Sequence, residues 1–82
     1  MSNFRLYTAS WCSHCPAAKQ AVKDAGLDCE VIDADTPYGR VKSSKDGVKS
    51  VPCLIEIVDD KPFEQYTGTQ INSELCEKLK GR

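Results

Sequence analysis

The chain has 82 residues, 40% hydrophobic and 28% charged, with 12 acids against 11 lysines and arginines for a net charge of −1. That length predicts one domain over residues 1–82, and a chain so short buries only roughly 60% of its unfolded surface, so every apolar segment is needed for the core. Charges of both signs are interspersed, which argues against a nucleic-acid binder or a disordered tail, and no apolar run approaches the roughly 18 residues of a membrane span.

Residues 3–8 alternate, with Phe4 and Leu6 against Arg5 and Tyr7, and predict a short strand. No apolar signal region precedes it, so a cytoplasmic protein is expected. From Ser13 the period changes. Ala18, Ala21, Val22 and Ala25 mark the apolar side of an amphipathic helix, with Pro16 in its first turn and Gly26 just past its end. Residues 28–33 read as a second strand, parallel to the first through a right-handed crossover. Thr36, Pro37 and Asp46-Gly47 bracket a short polar helix over 36–47. Residues 53–58, the most apolar run, predict a central strand, and a tight turn at 59–61 leads to its hairpin partner over 62–66. Ile71, Leu75, Cys76 and Leu79 are spaced for a last helix, capped by Asn72 or Thr69. The expected fold is α/β, in the order β-α-β-α-β-β-α, a mixed four-stranded sheet with helices on both faces. Glu56 is the misfit in the central strand, and predicts either a partly wet face there or a partner such as a lysine.

Five cysteines are many for this length, and an odd number without a secretory signal does not suggest a disulfide scaffold. Only Cys12 and Cys15 form a close pair, in Cys12-Ser13-His14-Cys15. Placed near a helix N-cap, Cys12 faces unpaired backbone N–H groups and the positive end of the helix dipole, which stabilise a thiolate. Cys15 lies one turn on, close enough to bond to it. An exposed first sulfur and a shielded second give the asymmetry that two-step exchange requires. His14, the only histidine, is placed to favour the Cys12 thiolate and so to make the disulfide form the better oxidant. Half a zinc site and an inert structural disulfide are the bland alternatives. Zinc wants four ligands, and Cys29, Cys53 and Cys76 are scattered, so no metal is expected. These three are read as small core residues, with a functional third thiol at Cys53 as the sharper alternative.

Trp11-Cys12-Ser13-His14-Cys15, then Gly47-Val48-Lys49-Ser50-Val51-Pro52, then Gly68 followed by a helix, resemble in order and separation the motifs of the thioredoxin superfamily. The resemblance covers nearly the whole chain and implies the thioredoxin-like fold. It makes Cys12 the nucleophile, Cys15 the resolving thiol and the two together a redox-active disulfide. It makes Pro52 a cis-proline, Val51 the residue whose backbone pairs with substrate, Trp11 part of an apolar rim around the sulfur, and Gly68 the glycine after the last strand. Tyr7-Thr8 and Pro16 are similar to small glutaredoxin-like proteins; Trp11, the segment ending in Pro52 and Tyr66-Thr67-Gly68 are more similar to thioredoxin. Glutaredoxins carry a Gly-Gly pair in the glutathione site where this chain has Gly68-Thr69, and a lysine before the motif where it has Ala9-Ser10. The buried aspartate of thioredoxin's first strand aligns near Leu6.

The function implied is reduction of protein disulfides by dithiol exchange, for example as electron donor to ribonucleotide reductase or another disulfide enzyme. A flavoprotein reductase or glutathione would supply electrons. A glutaredoxin-type, glutathione-dependent disulfide reductase with glutathione as co-substrate is the alternative, and a non-catalytic docking module the third. A monomer with no tightly bound cofactor is expected.

Overall fold

The computed structural model describes residues 4–81. Its elements are β1 (Phe4–Thr8), α1 (Cys15–Ala25), β2 (Cys29–Asp33), α2 (Pro37–Lys45), β3 (Cys53–Val58), β4 (Lys61–Thr67) and α3 (Ser73–Lys80), with a 3-10 turn over Gly68–Gln70 before α3. The order is the one expected, with ends shifted by a residue or two; Asn3, the first residue of the expected β1, lies outside the described residues.

The sheet runs β2-β1-β3-β4. β1 is parallel to β2 and antiparallel to β3, and β3 is antiparallel to β4. Both interior strands alternate between two covered faces. Phe4 and Leu6 of β1 and Leu54 of β3 pack with Ala18, Ala21, Val22 and Ala25 of α1 and Cys76 and Leu79 of α3. Tyr7, Cys53 and Ile55 form a second cluster with Ile32 on the opposite face. There α2 approaches the sheet through its one buried residue, Gly39, where an added Cβ would lie 1.8 Å from the Asp33 carbonyl oxygen. The apolar spacing of α1 therefore does what it predicts, and the weak apolar pattern of α2 reflects a helix that touches the sheet with backbone.

Caps fix the helix ends. Gly26 takes φ 67°, a left-handed conformation that glycine adopts without a Cβ clash, and ends α1. The hydroxyl of Thr36 accepts from the Gly39 N–H at 3.0 Å, and Asn72 Oδ1 accepts from the Leu75 N–H at 2.8 Å. Asn72, rather than Thr69, is thus the cap of α3. Glu56 stands opposite Phe4 and Glu64, beside a register shift, and is half-buried.

Candidate active site

Antiparallel pairing of β1 and β3 sets Tyr7 opposite Cys53. The segment leaving β1 and the segment entering β3 therefore meet at one end of the sheet. The first carries Cys12 and Cys15, and the second carries Val51 and Pro52.

Cys12 and Cys15 form a disulfide, with Cα atoms 5.4 Å apart. The Cys12 N–H donates to the Ala9 carbonyl at 3.1 Å, turning the chain into α1. The N-cap of α1 is His14, so Cys12 lies two residues ahead of the cap and Cys15 is the first helical residue. No acidic residue stands in the first helical turn to oppose a thiolate. Cys12 is 9% exposed and Cys15 1%. The expected asymmetry has the right sense but is smaller than anticipated, because Ala9 and Val51 close around both sulfurs in the oxidised form. The His14 side chain is exposed and makes no hydrogen bond to Cys12 among the described residues.

The Val51–Pro52 peptide bond is cis. Val51 touches both the sulfur cluster and the Tyr7 cluster. The Pro52 carbonyl accepts from the Gly68 N–H at 3.2 Å, which brings the glycine after β4 into the site. Gly68 has φ 55°, and the space where its Cβ would stand is open. Trp11 is 73% exposed and lies along an open groove of about 160 Å³ with Ala34, Ser43 and Val48–Val51 rather than against the sulfurs alone. Its indole N–H donates to Asp35 Oδ1 at 3.2 Å. The structure thus brings Trp11, Cys12, Cys15, Val51, Pro52 and Gly68 to one end of the sheet.

The other three cysteines lie outside the sulfur cluster. Cys53 is buried among Tyr7, Ile32 and Ile55, outside the sulfur cluster, and burial pushes its thiol up to about 11. Cys29 packs against the α1 and α3 core, and its thiol is pushed up to about 12, chiefly by burial. Cys76 is fully buried. Among the described residues no three His, Cys, Asp or Glu side chains group as metal ligands, and no helix is long and apolar enough to cross a membrane.

One cluster escapes the sequence reading. Asp46 is buried just past α2, with its carboxylate accepting from the Tyr7 hydroxyl and from Arg5 Nη1, the latter at 3.1 and 3.3 Å. Burial and the bond to Asp46 push the Tyr7 hydroxyl far above its ordinary range. Burial opposes the Arg5 charge, but the hydrogen bond and the charge of Asp46 more than offset it, and its pKa rises. The signal was Arg5 itself. In a strand covered on both faces, an inward arginine calls for a buried acid.

A model of the glutaredoxin family matches residues 5–63, from β1 through the paired cysteines and Pro52 into β4. The chain belongs to the glutaredoxin family. This glutaredoxin-family protein also shares its fold with solved thioredoxins. A mutant thioredoxin from Halobacterium salinarum NRC-1 superposes with a TM-score of 0.77 at 24% identity, over 96% of this chain and 73% of that one. Thioredoxin from Trypanosoma brucei brucei gives 0.75 at 22% identity, over 95% and 71%. A structure described as a malarial protein gives 0.74 at 16% identity, over 94% and 93%. At such identities the likeness establishes the thioredoxin-like fold alone. No curated protein sequence matches the chain. Family and cysteine pair together make this a thiol–disulfide oxidoreductase in the general sense.

Proposed function

We propose that this glutaredoxin-family protein reduces disulfide bonds of other proteins by dithiol exchange. The observation that carries the reading is the Cys12–Cys15 pair ahead of α1, facing Val51 and the cis-proline at Pro52. In the reduced form the Cys12 thiolate attacks one sulfur of a target disulfide. The target S–S bond breaks, Cys12 and the target share a mixed disulfide, and the other target sulfur leaves as a thiolate. Cys15 loses its proton and attacks the Cys12 sulfur. The Cys12–Cys15 bond forms, the second target thiol departs, and two electrons have passed to the target. His14 favours the thiolate as a nearby cation or N–H donor. Val51 offers its backbone to an extended target segment as an added strand, with Pro52 and Gly68 shaping the end of the sheet and Trp11 lining the groove.

The family match favours a second reading, in which glutathione is the co-substrate. Two glutathione thiols then reduce the Cys12–Cys15 bond and leave as glutathione disulfide. In the first reading a flavoprotein reductase supplies the electrons, and a disulfide enzyme such as ribonucleotide reductase is the target class.

Insulin-disulfide reduction tests the proposal. Wild type is expected to be active, Cys12→Ser inactive, and Cys15→Ser stalled as a mixed disulfide that a reductant releases. A Cys12→Ser protein that still reduces insulin overturns it. Recycling the oxidised protein separately with glutathione or with a flavoprotein reductase and NADPH distinguishes the two electron sources.

A further inference from the structure

The buried Arg5–Asp46–Tyr7 cluster lies outside the sulfur chemistry, yet it touches both segments that meet there. Tyr7 is the penultimate residue of β1, just before the turn to Cys12, and is fully buried. Val48 and Val51 pack against the buried cluster to which its ring belongs, while its hydroxyl donates to Asp46, 39 residues away. Asp46 is the residue from which the Gly47–Pro52 segment departs. Its carboxylate is bound from β1 by Tyr7 and Arg5. Its carbonyl accepts from Gln65 Nε2 of β4 at 3.0 Å, and the Gly47 carbonyl lies 3.4 Å from the same nitrogen. The Val48 N–H donates back to the Ser43 carbonyl at 2.9 Å. The root of this segment is therefore tied to β1, to β4 and to the end of α2.

A buried ion pair with its hydrogen bonds contributes little net stability compared with apolar side chains of the same volume. What directional bonds add is one geometry rather than several. We propose that Asp46, held by Tyr7 and Arg5, is a positioning residue that sets the Gly47–Val51 backbone relative to Cys12, and so determines affinity for extended protein substrates. The inference rests on the function proposed above. Small disulfides, which need the sulfur pair but not the neighbouring strand, are expected not to depend on it.

Three variants test the cluster: Tyr7→Phe removes one hydroxyl, Asp46→Asn removes the charge at constant shape, and Gln65→Ala removes the tie from β4. Each is expected to raise KM for insulin disulfides by about three- to tenfold while kcat holds. Reduction of hydroxyethyl disulfide stays within twofold of wild type, and backbone amides over 47–51 exchange with solvent faster. Equal losses on both disulfides, or unchanged exchange over 47–51, overturn the proposal. Should Tyr7→Phe or Asp46→Asn fail to fold, Gln65→Ala decides, because its side chain is exposed. If wild type reduces no insulin, the reductase reading falls instead. Exchange over 47–51 alone then determines whether the anchor stands.

Discussion

The indole N–H of Trp11, which lines the groove beside the cysteine pair, donates to Asp35 at 3.2 Å. Ser10 Oγ makes a longer contact to the same carboxylate at 3.5 Å. Asp35 follows β2 by two residues, and its own N–H donates to Asp33 Oδ1 at 2.9 Å, so the acceptor is fixed before the indole reaches it. A side chain as exposed as Trp11 would otherwise sample several rotamers.

Asp35→Ala is expected to free the indole. One such bond is worth roughly 0.5–1.5 kcal/mol, so a rise of about two- to tenfold in KM for a protein disulfide is expected, with Tm little changed. Trp11 is the only tryptophan, so its fluorescence anisotropy reads the change directly. Unchanged anisotropy would show that the bond does not hold the ring in solution.

His14 caps α1 without a side-chain cap bond, so replacing it leaves the helix its other contacts and alters chiefly the charge and donors beside Cys12. His14→Pro is expected to lower the reduction potential by on the order of 30 mV, which for two electrons corresponds to about 1.4 kcal/mol of lost thiolate stabilisation. Equilibration against glutathione buffers measures it. A variant equally or more oxidising removes the histidine from the account of the thiolate.

The buried thiols predict an alkaline limit. Cys53 and Cys29 titrate in the folded protein near 11 and 12, above their ordinary 9.0. Between those values the unfolded chain has released protons that the native state still holds. Stability is therefore full below pH 9 and declines as pH rises from there through 11 and 12. Urea titrations at pH 8 and pH 10.5 should show a smaller decline for Cys53→Ala than for wild type. Equal declines would place the Cys53 thiol in its ordinary range.

Asp59 and Asp60, which join β3 to β4, both have positive φ, 53° and 64°. That is the backbone of a two-residue hairpin turn for which Asn-Gly is the favoured pair. The double change Asp59→Asn, Asp60→Gly is expected to add about 1 kcal/mol, or roughly 4–8 °C in Tm for a domain this size. Insulin reduction should stay as in wild type, because the turn lies at the end of the sheet away from Cys12. A lower Tm would mean that the aspartates make turn contacts worth more than the conformational cost.

Local rules made most of the fold legible. The spacing of Ala18, Ala21, Val22 and Ala25, the change of period at Ser13, and Gly26 specify α1 without reference to the rest of the chain. Cys12 and Cys15 could be read as a pair because their chemistry depends on spacing along one helix. Three things were hidden, each set by contacts between distant segments. In the sequence Asp46 marks only the end of a short polar helix, and the pairing of β1 with β3 and the packing of α2 turn its carboxylate toward Tyr7. The resemblance places Trp11 in the rim around the sulfur, but nothing in the sequence shows that its indole bonds to Asp35 after β2. The burial of Cys12 in the disulfide form depends on Val51, which the sequence places 39 positions later.

The cross-link between Cys12 and Cys15 closes a stretch of only three peptide steps. In a chain-entropy description, so small a loop restrains the unfolded ensemble by about 2 kcal/mol, against more than twice that for a loop of a hundred residues. Gaining or losing this bond therefore leaves the architecture standing. The pair can be oxidised and reduced repeatedly while the sheet and its helices stay in place.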